Sequence, residues 1–308
     1  MECPDKLTIG PAPPERVQQA LWLVLGEMPQ EDRSAATRLL LDETRRGGPS
    51  LDGLLEARRC RRSVGAVLFQ VQAGGIAVVW PPRLVRGEPL DTAESLLDAA
   101  TTRLAEKPVA AAHVLLPQVT QSDDRLLRGA GFAPVAELLY LAICCESFPS
   151  SAPAGPLEFE AYGEACHGRL ARVVEASYRD TLDCPGLDDG RPIEDILAGY
   201  RATGVFSPDR WLIVRHDRRD VGCLLLADHP TAENMELVYM GLVPSARGHG
   251  WGTQIARHAQ WLAGEAGRRR LVLAVDAANG PALRSYGAAG FEAWDRRQVY
   301  FRRFRMRK

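Results

Sequence analysis

The sequence lacks most of the signatures that would assign it at once. Its seven cysteines (Cys3, Cys60, Cys144, Cys145, Cys166, Cys184 and Cys223) are odd in number and contain no CxxC pair. That argues against a disulfide scaffold and a zinc site, and it fits a reducing cytoplasm. The six histidines show no ligand spacing, so no metal is expected. No apolar run reaches the ~18 residues of a membrane span, and the opening MECPDKLTIG has no signal-peptide core; neither a membrane segment nor an export leader is expected. The formal net charge is only −1, which leaves no dominant attraction to nucleic acid or to a membrane surface. The basic RRFRMRK end reads as a solvated terminus. What is present is 46% hydrophobic residues over 308 positions, enough for two domains with a core each.

The most informative stretch is ELVYMGLVPSARGHGWGT, residues 236–253. Apolar and β-branched residues suit a strand, and Pro244 ends it because proline donates nothing to a sheet ladder. Arg247 follows, then glycine at 248, 250 and 252, then a helical apolar pattern through Ile255, Ala259, Leu262, Ala263 and Ala266. A strand, a glycine turn and a helix N-terminus together make a cradle of unpaired N–H groups that glycine lets a phosphate approach. A Walker loop is excluded because the turn has no lysine. A dinucleotide fingerprint stays open on this stretch alone. Gly248 and Gly250 fit its first two positions, Thr253 fails the third, and Asp276 falls near the distance of its acidic residue.

A second segment, after a strand ending at Asp276, narrows the choice. It reads NGPALRSYGAAGF, residues 279–291. Asn279 suits a helix cap with Pro281 in the first turn, and Gly290 suits the helix end. Caps do not explain Tyr286. Arg247-x-x-Gly250-x-Gly252, followed about 40 residues later by Asn279, Ala282, Tyr286, Gly290 and Phe291, resembles the two motifs of the GNAT acetyltransferase superfamily. The resemblance covers roughly residues 155–305, and more weakly 1–145.

The resemblance implies an acetyl-CoA-dependent N-acetyltransferase. A bulged strand would pair with the pantetheine arm at Met240, Gly241 and Leu242. The pyrophosphate would lie on the turn of Arg247, Gly248, His249, Gly250, Trp251, Gly252 and Thr253, with Asn279 nearby. It implies Tyr286 as the acid that protonates the CoA thiolate and Glu236 as the base. Direct transfer needs a base or water relay for the amine and a donor for the carbonyl oxygen, which a backbone N–H beside the bulge can supply.

The chain also reads as two copies of one plan. A break rich in Ser, Pro, Ala and Gly at residues 147–156 reads as a linker between domains 1–146 and 157–308. In the second half helices are predicted near 163–179, 192–202, from 250 and at 280–289, with strands near 211–216, 220–228, 235–243, 270–276 and 297–304. In the first half helices are predicted near 14–26, 31–46, 91–106 and 122–129, with strands near 54–60, 64–71, 75–80, 109–116 and 135–143. The expected fold is α/β (α+β): two tandem GNAT folds, each a mixed sheet flanked by helices with a bulged central strand, an arrangement similar to that of mycothiol synthases. RLLRGAGF (125–132) echoes RSYGAAGF (284–291), which sets Leu127 opposite Tyr286. Aligning the prolines sets Ala73 opposite Glu236. The first-half turn PPRLVRGEP lacks the spaced glycines, so this copy reads as degenerate and non-catalytic.

The resemblance also implies an acceptor lying against the first two helices of the second half and their connection, 178–192, with Tyr178 and Asp183 as the candidate substrate contacts. That loop carries Tyr178 and the acidic residues Asp180, Asp183, Asp188 and Asp189, which favour a cationic amine. The partner is then a small-molecule or peptide amine, with no nucleic acid and no membrane. Two other readings stay open on sequence: an acyl-CoA-binding sensor or scaffold without turnover, and a nicotinamide-dependent enzyme.

Overall fold

The computed structural model describes residues 6–45, 50–185 and 190–304. Asp188 and Asp189 of the acidic loop lie outside the described residues. The chain gathers into two compact units: residues 1–134 with 299–308, and residues 135–298. No described helix is long and apolar enough to cross a membrane.

The first unit contains β1 (Leu7–Pro11), α1 (Val17–Val24), α2 (Gln30–Arg45), β2 (Leu54–Arg59), β3 (Arg62–Gln72), β4 (Ile76–Leu84), α3 (Asp91–Ala105), β5 (Ala111–Leu116) and α4 (Gln121–Gly129). Its strands run in the order β1-β2-β3-β4-β5. All pairs are antiparallel except β4 with β5, which is parallel. Leu96, Leu97, Ala100 and Leu104 of α3 pack on one face, and Ala20, Leu21 and Val24 of α1 on the other. The β3 run VGAVLF is buried on both faces, which is why it reads as continuous rather than alternating.

The second unit contains most of β6 (Ala133–Cys144), then β7 (Glu158–Ala161), α5 (His167–Ser177), α6 (Ile193–Arg201), β8 (Trp211–His216), β9 (Arg219–His229), β10 (Asn234–Leu242), α7 (Trp251–Glu265), β11 (Arg270–Asp276) and α8 (Gly280–Ala288). The last strand, β12 (Glu292–Arg303), contributes residues 292–298 here and 299–303 to the first unit. The order β6-β11-β10-β9-β8-β7 is again a mixed sheet, with β10 and β11 parallel. In β9, Leu224 and Leu226 pack under α7, while Cys223 and Leu225 pack under α5, so helices cover both faces.

The predicted helices and strands match these elements within a few residues. The short strands β1 and β7 are additional. The unit boundary does not follow the Ser/Pro/Ala/Gly break at 147–156, which lies inside the second unit. The cause is β6, which runs antiparallel to β11 from Leu138 opposite Asp276 to Cys144 opposite Arg270. The first half of the chain thus supplies a strand to the second unit, and the last strand of the chain ends in the first.

Candidate active site

The site is made by two strands that part. β10 and β11 pair in parallel only over Asn234–Arg270, Met235–Leu271 and Glu236–Val272. Beyond Glu236, β10 continues against β9 through Leu242, but its other edge has no ladder partner among the described residues. The register with β9 slips between Leu237 and Tyr239, so Val238 is the bulged residue. A bulge bends and twists its strand, which turns β10 away from β11. The sequence pointed to Gly241 as the bulge; the extra residue is three positions earlier. Gly241 answers a different constraint. A Cβ there would stand 2.5 Å from Ser177 Oγ and 2.8 Å from Ser177 Cβ, so glycine is what lets the end of α5 lie against β10.

A cleft of about 600 Å³ fills the gap. Met240, Gly241 and Leu242 line one wall, and Ala274, Val275 and Tyr286 another. At its mouth are Gly248, Gly250, Trp251, Gly252 and Thr253, which open α7. Gly248 and Gly250 take φ of +84° and +74°, a region that disfavours side chains. No backbone bond among the described residues ties up the N–H groups of Gly248, His249 or Gly250. Thr253 N–H bonds Gly250 O at 3.2 Å, but among the described residues the N–H groups of Trp251 and Gly252, the first of α7, have no backbone acceptor, so the positive end of the helix faces the cleft.

Several expected residues take part differently. The guanidinium of Arg247 donates to four carbonyl oxygens, those of Leu242 (3.1 Å), Ser177 (2.9 Å), Arg179 (2.8 Å) and Asp180 (3.0 Å). It ties the glycine turn to the end of α5, and Arg247 also lines the cleft. His249 is exposed, stacks 4.7 Å from Trp251 and does not line the cleft. Asn279 lines the cleft and caps α8 by accepting from the Ala282 N–H at 3.2 Å. Tyr178 lies outside the lining. Its hydroxyl meets that of Tyr200 at 2.5 Å, and both rings pack on Tyr239.

Tyr286 lines the cleft, is 5% exposed, and packs edge-on to Phe291 at 5.6 Å. Burial pushes its hydroxyl pKa up, and the charge of Asp183 pushes it the same way. Glu236 sits before the splay, outside the lining, and is hydrogen-bonded to His229 Nε2 at 2.9 Å. That bond raises the His229 pKa. Asp183, expected with Tyr178 to contact the acceptor, does line the cleft. Sequence spacing could not bring it to Asp276, 93 positions away, whose N–H it accepts at 3.0 Å.

The first unit repeats the splay and then blocks it. β4 and β5 pair only over Ile76–Ala111, Ala77–Ala112 and Val78–His113, so Val78, not Ala73, is the counterpart of Glu236. The slip in β4 falls between Trp80 and Arg83, at Pro81 and Pro82, which have no N–H to offer a ligand. Arg83 then pairs with Glu27 and with Asp123 at the start of α4. Leu127 is the counterpart of Tyr286, as the echo indicated: Phe132 N–H bonds Leu127 O at 2.9 Å, and Phe291 N–H bonds Tyr286 O at 3.0 Å.

A splayed parallel pair, a glycine-opened helix and a buried phenol meet at this cleft. Residues 176–291 match the Acetyltransferase (GNAT) family. No curated protein matches the sequence. Among solved structures, the chain is similar to a GCN5-related N-acetyltransferase from Sphaerobacter thermophilus, with 17% identity, 99% of this chain and 98% of that one covered, and a TM-score of 0.68. It is also similar to a GCN5-related glucosamine N-acetyltransferase region of a fungal multi-domain GH3 β-N-acetylglucosaminidase (14% identity, 96% and 38% covered, TM-score 0.67). A tandem GNAT protein from the clavulanic acid biosynthesis pathway aligns with 14% identity, 98% and 100% covered, and a TM-score of 0.57. At these identities the likenesses establish the fold.

Proposed function

We propose that the second unit binds acetyl-CoA in the cleft and transfers its acetyl group directly to a primary amine of a small molecule or peptide. The observation that carries this reading is the loss of pairing beyond Glu236, which leaves one edge of β10 without a partner through Leu242. The pantetheine arm lies along Met240, Gly241 and Leu242 and pairs with that edge as an added strand would. The pyrophosphate sits on the N–H groups of residues 248–253 at the positive end of α7. Arg247 supports the turn, and Asn279 holds the start of α8 against the cleft. A backbone N–H of β10 beside the bulge steadies the carbonyl oxygen, and Tyr286 protonates the departing thiolate. The first unit is a second copy of the fold without this chemistry. Pro81, Pro82, the Arg83 ion pairs and Leu127 support that assignment.

Calorimetry with acetyl-CoA and with NAD(P), followed by thiol release against a panel of amines, tests the reading. Acetyl-CoA is expected to bind and at least one amine to release thiol. Preference for NAD(P), or acetyl-CoA binding with no turnover on any amine, would reject it.

A further inference from the structure

One carboxylate in the cleft has no role in the scheme above. Asp183, on the connection between α5 and α6, lines the cleft with Tyr239, Asn279 and Tyr286. A reciprocal clamp fixes its place. Asp183 Oδ1 accepts from the Asp276 N–H at 3.0 Å, and Asp276 Oδ2 accepts from the Cys184 N–H at 3.0 Å. The chain on both sides is strained, with φ of +52° at Asp180 and +46° at Cys184. Such conformations in non-glycine residues persist where surrounding contacts over-determine them, and they cluster at functional sites. Here the contacts are the clamp and the Arg247 guanidinium, which holds the carbonyls of Ser177, Arg179 and Asp180. Independently, Tyr286 is almost fully buried, lines the same cleft and has no hydrogen-bond partner for its hydroxyl among the described residues.

We propose that Asp183 seats the ammonium of the acceptor and takes its proton, so that the acceptor is a cationic primary amine. This deepens the acetyl-transfer reading and rests on it. Asp183 is exposed, and it borders the cleft beside the buried Tyr286. Among the described residues, Asp276, Cys184, Tyr200, Tyr239 and Tyr286 feel its charge, and Arg247 and Arg284 line the same cleft. Desolvation raises its pKa and the Asp276 charge adds to that, against the Asp276 N–H and the Asn279 amide, which favour the anion. A carboxylate raised in this way is a better match to a proton acceptor working near neutrality. Glu236, by contrast, is bonded to His229 outside the lining.

The step balances as follows. The ammonium gives one proton to Asp183, and the free amine attacks the thioester carbonyl carbon, forming the C–N bond. Collapse breaks the C–S bond, and the thiolate takes the Tyr286 proton. The phenolate regains a proton from the nitrogen, which becomes the amide, and Asp183 returns its proton to water.

The test compares wild type with Asp183→Asn, which keeps an oxygen for the Asp276 N–H. Acetyl-CoA binding is first checked by thermal shift in both. Thiol release is then followed from pH 5 to 9 with spermidine, glucosamine and a lysine peptide. The expected result is an unchanged acetyl-CoA shift, kcat/KM lower by about 100-fold, and loss of the acidic limb of the pH profile. Asp183→Glu, which keeps the charge, is expected to keep the limb at a reduced rate. An Asp183→Asn enzyme within about threefold of wild type with the limb intact overturns the assignment and leaves acetyl transfer standing. So does loss of the limb in Glu236→Gln but not in Asp183→Asn. If the wild type neither shifts with acetyl-CoA nor releases thiol with any amine, acetyl transfer itself fails, and this role with it.

Discussion

A phenol buried as deeply as Tyr286 holds its proton across the physiological range, because desolvation disfavours the phenolate. That makes it a poor base and, in the proposed reaction, the proton donor for the departing thiolate. Replacing it with phenylalanine removes one oxygen from a side chain that packs on Phe291 and leaves the packing in place. Tyr286→Phe is therefore expected to lower kcat by about 100-fold while leaving acetyl-CoA affinity and the melting temperature close to wild type. Stopped-flow thiol release and calorimetry on the same preparation check this, and full retained activity would remove Tyr286 from the chemistry. Tyr286 was legible in the sequence because its spacing from Asn279, Gly290 and Phe291 is local. The orientation of Arg247 was not. Its motif position says nothing of the carbonyls at the end of α5, some 70 residues earlier, that its guanidinium meets. The clamp that delivers Asp183 is hidden for the same reason.

At the scale of elements, the predicted helices and long strands were legible from apolar periodicity, and the exposed edge strands β1 and β7 were too short to carry a pattern. The position of the bulge was not legible, because a register slip depends on the partner strand and glycine is a poor guide to it. Two consequences belong at this scale. Arg247 joins the glycine turn to α5 and the strained loop beyond it. Arg247→Gln is expected to cost about 1–3 kcal/mol of stability, since the part-buried carbonyls of Leu242 and Ser177 lose a donor, and to raise the acceptor KM more than it weakens acetyl-CoA binding. Urea melts and initial rates at varied acceptor measure both, and an effect confined to acetyl-CoA affinity would mean the guanidinium serves the phosphate after all.

The second concerns β7 and α7, where Phe159 stacks on His258 with ring centroids 3.6 Å apart. His258 is 7% exposed, its Nδ1 has no partner among the described residues, and burial lowers its pKa to about 4. The unfolded chain then binds this proton near pH 6.5 while the folded one resists it. Stability is full above about pH 6.5, is lost as pH falls toward about 4, and levels off below that, for a total on the order of 3 kcal/mol. His258→Leu is expected to flatten that part of the stability curve, read as urea midpoints between pH 7 and 4. An unchanged acid slope would rule out His258 as its source.

At the scale of the whole molecule, the order of elements was legible, but the assignment of the terminal strands was not, because strand pairing is non-local and a Ser/Pro/Ala/Gly break marks a change in composition alone. A fragment cut at that break, residues 157–308, would keep every residue of the cleft and both sequence motifs. It would lack β6, whose seven residue pairs satisfy one edge of β11 and whose Leu141 and Ile143 belong to the core beneath α7. An open apolar strand edge in the middle of a sheet is an aggregation site, and losing two buried aliphatic side chains costs roughly 2–5 kcal/mol each, comparable to the whole stability of a domain. The fragment 157–308 is therefore expected to be insoluble or to lack a cooperative melt, whereas a fragment starting at 133 restores the pairing and is expected to regain acetyl-CoA-dependent stabilisation. Circular dichroism melts of the two fragments, with and without acetyl-CoA, decide it. A cooperative, ligand-stabilised 157–308 would show that β6 is dispensable and that the composition break is the true domain boundary.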